Sequence, residues 1–157
     1  MDAAQFDEAA FFQALAASGA RALLIGRRAM VVLGLPVLTA DYDFWIAIDV
    51  IEAMNAASAP FGLVPNRSPA EARATGRYVL ENDEKVDVLV ARSVGTIDGG
   101  RAAFDDLWGR RETAEAAPGV TIALPALEDL IVTKRFAARP KDAEDIRLLE
   151  ALAARRR

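Results

Sequence analysis

The sequence predicts an α+β fold with a mixed β-sheet, and three observations predict it. Residues Asp41-Tyr-Asp-Phe-Trp-Ile-Ala-Ile48 alternate polar or small side chains with apolar ones, the period of two that marks a strand. Arg77–Glu81 and Lys85–Ala91 are two more strand-like runs separated by Asn82-Asp83, the arrangement of a hairpin. The chain then ends in two helical segments, which departs from the strict strand–helix alternation of a doubly wound parallel sheet.

Taken in order, Phe6 to Ala17 carries apolar residues at helical spacing (Phe6, Ala9, Ala10, Phe12, Ala16) and stops at Ser18-Gly19. Arg21–Ile25 reads as a buried strand, Gly26 as a junction, and Arg27–Leu33 as a helix running up to Gly34. After the strand at 41–48, a helix is expected from Asp49 to Ala57 with Asp49 as its N-cap. Phe61–Val64 reads as a short strand and Pro65–Thr75 as a loop or short helix. Beyond the hairpin come a helix at Gly100–Trp108, a last strand at Gly119–Leu124 and a helix at Glu128–Ala138. The final helix, Pro140–Arg155, is well marked. Proline suits its first turn, acids cluster at its start, and arginines close its end.

Composition limits the chemistry. With 157 residues, 53% hydrophobic and 27% charged, the chain has enough apolar content to fold and is not a disordered segment. It is read as one domain over 1–157, with a core at about 21–124 and C-terminal helices at about 125–155. There is no cysteine and no histidine. Disulfide scaffolds, thiolate or imidazole zinc sites and Ser-His-Asp catalysis are therefore excluded. Carboxylates, lysines, arginines and hydroxyls remain, together with any hard cation that oxygen ligands can hold.

No apolar run reaches the ~18 residues of a membrane span, and Met1, Asp2, Asp7 and Glu8 make an acidic start. The expectation is a cytoplasmic protein with no membrane partner. The net charge is −4, unevenly spread: residues 134–157 carry eight basic against four acidic side chains. An acidic body argues against broad duplex DNA binding, while the basic tail can meet a phosphate or an acidic partner.

Three aspartates stand out. Asp41 and Asp43 share one face of their strand, and Asp87 interrupts the apolar run Lys85-Val-Asp-Val-Leu-Val90. If the two strands are neighbours, Asp87 projects toward the other two. Carboxylates that close repel one another unless a cation joins them, and magnesium takes few carboxylates together with waters and phosphate oxygens. Such a set suits two-metal phosphoryl or nucleotidyl transfer, with Asp87 also able to act as a general base. Gly26 adds a strand-to-helix turn whose bare N–H groups attract phosphate. The plain alternatives are an exposed strand edge for Asp-x-Asp, pairing of Asp87 with Lys85 or an arginine, and simple packing for Trp45 rather than stacking on a base.

Leu24-Ile-Gly26 followed by Thr39 and Asp41-Tyr-Asp43, with Lys85-Val-Asp87-Val further on, resembles the nucleotidyltransferase superfamily related to DNA polymerase β. Leu124-Pro-Ala-Leu-Glu128 through Lys134, then Arg139-Pro-Lys-Asp142-Ala-Glu-Asp145, resembles the C-terminal helices of abortive-infection type nucleotidyltransferase toxins and their small relatives. The resemblance spans about residues 21–150.

It implies a nucleotidyltransferase core in which Asp41, Asp43 and Asp87 hold magnesium, two ions in all. Gly26 approaches the triphosphate of an NTP, Lys134 reaches its phosphates, and Asp142 assists. The acceptor is a hydroxyl of an RNA, a protein or a small molecule, and a cognate antitoxin protein is an expected partner. Arg27 departs from the pattern, standing where the family has a small residue. It has three possible roles: swung out, clamped on phosphate, or filling the site. The last would leave a catalytically inactive binding module.

Overall fold

Tyr42, Phe44 and Ile46 are buried along one side of a strand, and the elements assemble around them. The structure, a computed structural model, describes residues 6–137 and 139–157. In chain order the elements are α1 (Glu8–Ala17), β1 (Ala22–Ile25), α2 (Gly26–Val32), β2 (Tyr42–Ile46), α3 (Ile51–Ser58), a 3₁₀ turn (Ala59–Phe61), β3 (Val64–Pro65), α4 (Pro69–Thr75), β4 (Arg77–Glu81) and β5 (Lys85–Val90). There follow β6 (Ser93–Gly95), β7 (Arg101–Ala103), α5 (Phe104–Gly109), β8 (Glu112–Ala117), β9 (Val120–Leu124), α6 (Leu127–Thr133) and α7 (Pro140–Arg156).

The central sheet has five strands in the order β1-β2-β5-β4-β3. Only β2 and β5 run parallel; β1–β2, β5–β4 and β4–β3 are antiparallel, so the sheet is mixed and the fold α+β as expected. β6 pairs with β7, and β8 with β9, as separate two-stranded ribbons. On one face Phe11 and Phe12 of α1 meet the rings of Tyr42 and Phe44 edge-on, at 6.1–6.4 Å between centroids. α3 covers the same face farther along, where Asn55 accepts a 2.6 Å hydrogen bond from the Tyr78 hydroxyl. On the opposite face Trp45 is fully buried, edge-on to Phe104 and Phe136 at 5.6 Å each, and its indole N–H donates to the Ala91 carbonyl at 2.8 Å. Each such buried side chain stabilises the fold by roughly 1.5–3 kcal/mol. Trp45 is therefore a packing residue, unavailable to a base.

Local chemistry sets the boundaries. The β4–β5 hairpin turns where Asn82 accepts a hydrogen bond from the Glu84 amide at 2.6 Å. α4 begins with a reciprocal capping box between Ser68 and Glu71 and ends at Gly76, whose φ is +83°. α7 has Pro140 in its first turn and Arg155 and Arg156 in its last.

Several expectations are corrected. Asp49 caps no helix: α3 starts two residues later without a side-chain cap, and Asp49 instead pairs with Arg21 at 2.8 Å. Phe61 closes a 3₁₀ turn, and only Val64–Pro65 extends as a strand. The helix expected at 100–108 begins only at Phe104, because Arg101–Ala103 pairs with Ser93–Gly95. β8 was not anticipated. The α6 helix stops at Thr133, and residue 138, where it was expected to end, lies outside the described residues, as do Met1 and Asp2. Among the described residues no helix is long and apolar enough to cross a membrane.

Candidate active site

The side-chain alternation of β2 puts Asp43 on the face opposite Tyr42 and Phe44, and β5 does the same for Asp87 between Val86 and Val88. Parallel pairing then sets Asp43 directly opposite Asp87 in register. Ile25 of β1 and Val79 of β4 complete the same row across the sheet. Asp41 lies just ahead of β2 and is exposed; its amide donates to the Thr39 hydroxyl at 3.1 Å. All three carboxylates line one cleft of about 580 Å³.

Asp43 is the most perturbed of them. Burial first, then the charges of Asp87 and Asp41, push its carboxyl up to about 6, against the opposing pull of Lys134 and Arg139. Lys85 approaches Asp87 only to 3.8 Å, with both side chains well exposed, an ion pair too loose to occupy that carboxylate. Gly26 forms the floor beside Asp43. Its φ is +69°, and a Cβ there would stand 2.5 Å from Asp43 Oδ2. Glycine is thus required both for the backbone turn and for the close approach.

The expected three-carboxylate cage is not closed. Among the described residues no group of three or more acidic side chains is gathered as a ready-made metal site. Magnesium does not need one, since it binds through one or two carboxylates with water and substrate oxygens making up the octahedron. The Asp43–Asp87 pair fits that demand: two adjacent carboxylates, one of them held protonation-prone by its neighbours, are the donor set a divalent cation would relieve.

Arg27 takes none of the expected positions cleanly. Its guanidinium grips Asp145 of α7 through Nε at 3.1 and 3.2 Å and Nη2 at 3.1 Å, and Nη1 donates to the Leu38 carbonyl at 3.4 Å. Lys134 is buried, not an exposed helix lysine, and its Nζ donates to the same Asp145 at 2.9 Å. Burial opposes the charge of Asp145, but the hydrogen bonds from Arg27 and Lys134 more than offset it and hold its carboxyl below the usual value. Asp142 is likewise buried and receives a two-pronged bond from Arg139 at 2.9 and 3.1 Å. Arg27, Lys134 and Arg139 all line the cleft.

Asp145 and Arg139, named in the sequence only within the C-terminal motif, and Arg67 and Arg77 were given no role there. A signal existed for the first. Asp142, Asp145, Leu149 and Ala153 form the buried stripe of α7, and an aspartate on an apolar stripe needs a cationic partner.

The fold just described is shared with a solved protein. Over 87% of the chain and 86% of the other molecule it superposes, at a TM-score of 0.56, on the crystal structure of a Thermotoga maritima protein provisionally described as a nucleotidyltransferase. The two sequences are 18% identical, so the likeness concerns the fold. Neither a protein-family model nor a curated protein matches the chain.

Proposed function

We propose that this chain is a magnesium-dependent nucleotidyltransferase that moves NMP from an NTP to an acceptor hydroxyl. The observation that carries the reading is the register pairing of Asp43 with Asp87 beside Gly26, at the floor of a cleft rich in cations. Asp43, Asp87 and, from the rim, Asp41 are the residues that would hold magnesium, which would supply Lewis-acid charge neutralisation and make the attacking hydroxyl more acidic.

The chain's own groups do the rest. Gly26 lets a phosphate come close to the backbone, and Lys134 and Arg139, braced by Asp145 and Asp142, offer positive charge to the triphosphate. The acceptor oxygen forms a bond to the α-phosphorus as the bond from that phosphorus to the β-bridging oxygen breaks. Pyrophosphate leaves with the bonding electrons, and the hydroxyl proton passes to Asp87 and then to water. The toxin–antitoxin role and the cognate antitoxin remain expectations resting on the resemblance of the C-terminal helices.

The alternative, a catalytically inactive module, is motivated by Arg27 and by the short helical C-terminus. The turn of the Arg27 guanidinium toward Asp145 and the Leu38 carbonyl supports the active reading over it.

The test is a thermal-shift and titration series with each NTP and magnesium, using Asp43→Asn as control. At about 100 times Kd, a ligand that binds only the folded chain adds about 2.7 kcal/mol of stability. Stabilisation by at least one NTP, lost in Asp43→Asn, is expected. Indifference to every NTP, or to the substitution, would overturn the reading.

A further inference from the structure

Asp41 is exposed at the rim of the cleft, and the chain that leads to it has no helix or strand of its own: α2 ends at Val32 and β2 starts at Tyr42. Among the described residues Leu38, Thr39 and Ala40 share no backbone–backbone hydrogen bond with the rest of the chain. Two arginines of α2 tether the segment instead. Arg27 reaches the Leu38 carbonyl through Nη1 at 3.4 Å. Arg28 donates from Nη2 to the Thr39 carbonyl at 3.2 Å and from Nε to the Asp41 carbonyl at 3.3 Å.

The Arg28 guanidinium is itself held on its other sides. Its central carbon lies over the Tyr42 ring, 4.1 Å from the centroid, and Nη1 stands 3.5 Å from Glu8 Oε1 on α1. Only 16% of the side chain is exposed. Tyr42 belongs to the sheet face turned away from Asp43, and Arg28, unlike Arg27, forms no part of the cleft wall. It therefore has no phosphate to meet. Taking a cation out of water beside a place suited to a second cation is unfavourable twice over, so its use lies in what it holds.

Resting on the reading above, we propose that Arg28 is a positioning residue for the metal. Through the carbonyls of Thr39 and Asp41 it fixes the backbone from which the Asp41 carboxylate projects, and so makes an exposed loop aspartate a usable magnesium ligand. Magnesium accepts little departure from its octahedron, and a carboxylate on an untethered loop would serve it poorly. The task needs arginine. One edge of the planar fork, Nε and Nη2, serves two carbonyls while Nη1 faces Glu8 and the flat face covers Tyr42.

The experiment titrates the chain with Mn²⁺ alone, an oxygen-preferring stand-in for magnesium whose free aquo ion is counted by electron paramagnetic resonance. The parent chain is compared with Arg28→Met, Arg28→Lys, Asp41→Asn, Asp43→Asn and the double variant Arg28→Met/Asp41→Asn, and urea melts show which of them are folded. Charge and positioning predict opposite signs. If Arg28 acted only as a charge, Arg28→Met would bind Mn²⁺ more tightly and Arg28→Lys would match the parent. Positioning predicts binding ~10-fold weaker in Arg28→Met, the scale on which groups that orient metal ligands act, and weaker in Arg28→Lys as well. With Asp41→Asn already in place, Arg28→Met should change the affinity by no more than about twofold, since the residue acts through Asp41.

Arg28→Lys keeps the aliphatic stem and the charge beside Glu8, and decides the matter if Arg28→Met does not fold. Tighter or unchanged binding in the Arg28 variants overturns the assignment, as does an equal loss with and without Asp41→Asn. A parent chain that binds no Mn²⁺, or binds it as well after Asp43→Asn, would sink the magnesium reading itself. Binding that responds to Asp43→Asn but not to Asp41→Asn or Arg28→Met would sink only the role given to Arg28.

Discussion

Gly26 and Asp43 are packed so closely that no side chain fits between them: a Cβ on the glycine would overlap Oδ2 of the aspartate at 2.5 Å, and the Asp43 Cβ and Cγ are each at 3.1 Å. Gly26→Ala therefore has to push Asp43 off its rotamer as well as strain a backbone at φ +69°. The left-handed conformation alone costs an alanine about 1–2 kcal/mol. We expect NTP–magnesium affinity to fall at least ~10-fold while the variant stays folded, as read by isothermal titration alongside a urea melt. Parent-like affinity would show that the close approach has no part in binding.

The raised Asp43 carboxyl makes a signed prediction about pH. Folded, it titrates at about 6, whereas an unfolded aspartate titrates near ~3.9. Between those values the native state holds a proton that the unfolded chain has released, so this group's contribution to stability falls as pH rises through the window, by at most about 3 kcal/mol. Asp43→Asn removes the titration. In EDTA it should be more stable than the parent chain at pH 7.5 and level with it near pH 4, and magnesium should narrow the gap at the higher pH. Urea melts at the two pH values decide the matter.

Asp145 joins Arg27 and Lys134 beneath the cleft, so Asp145→Asn leaves two cations short of a counter-charge. Breaking a buried pair in this way costs about 3–5 kcal/mol, and chains of this size lose about 2–4 °C per kcal/mol. A drop in Tm of about 6–20 °C is expected. Asp142→Asn should cost far less, because its partner Arg139 is 57% exposed. Equal effects from the two would contradict this ranking.

Trp45→Phe tests packing against base stacking. The variant loses the hydrogen bond from the indole of the buried Trp45 to the Ala91 carbonyl, a change of about 1–3 kcal/mol. NTP affinity should stay within twofold of the parent value. A folded variant that no longer binds any nucleotide would restore Trp45 to the site.

What could be read from the residues, and what could not, follows from the range of the forces involved. The β4–β5 hairpin and α7 were legible because each carries its own signals: alternation around Asn82-Asp83 in one, proline, acids and arginines in order in the other. The Asp43–Asp87 pair was legible only conditionally, since it depends on two strands being neighbours. β8 was hidden because Glu112-Thr-Ala-Glu-Ala-Ala117 is poor in β-branched and aromatic residues; it is a strand by pairing with β9. Arg101–Ala103 was misread for the same reason, its conformation being set by β6. The role of Arg27 was beyond reach, because its partner Asp145 lies 118 residues away.

The parallel joining of β2 and β5 has a kinetic consequence. Everything from residue 47 to residue 84 must cross over before the two strands can meet, whereas β4 and β5 are joined by a short local turn. Closure of that long crossover belongs to the slow, non-local events of folding, so the mutual repulsion of the two aspartates is switched on late. A divalent ion should accordingly leave the early hairpin untouched and act as a latch on the finished fold, slowing its opening more than it speeds its formation.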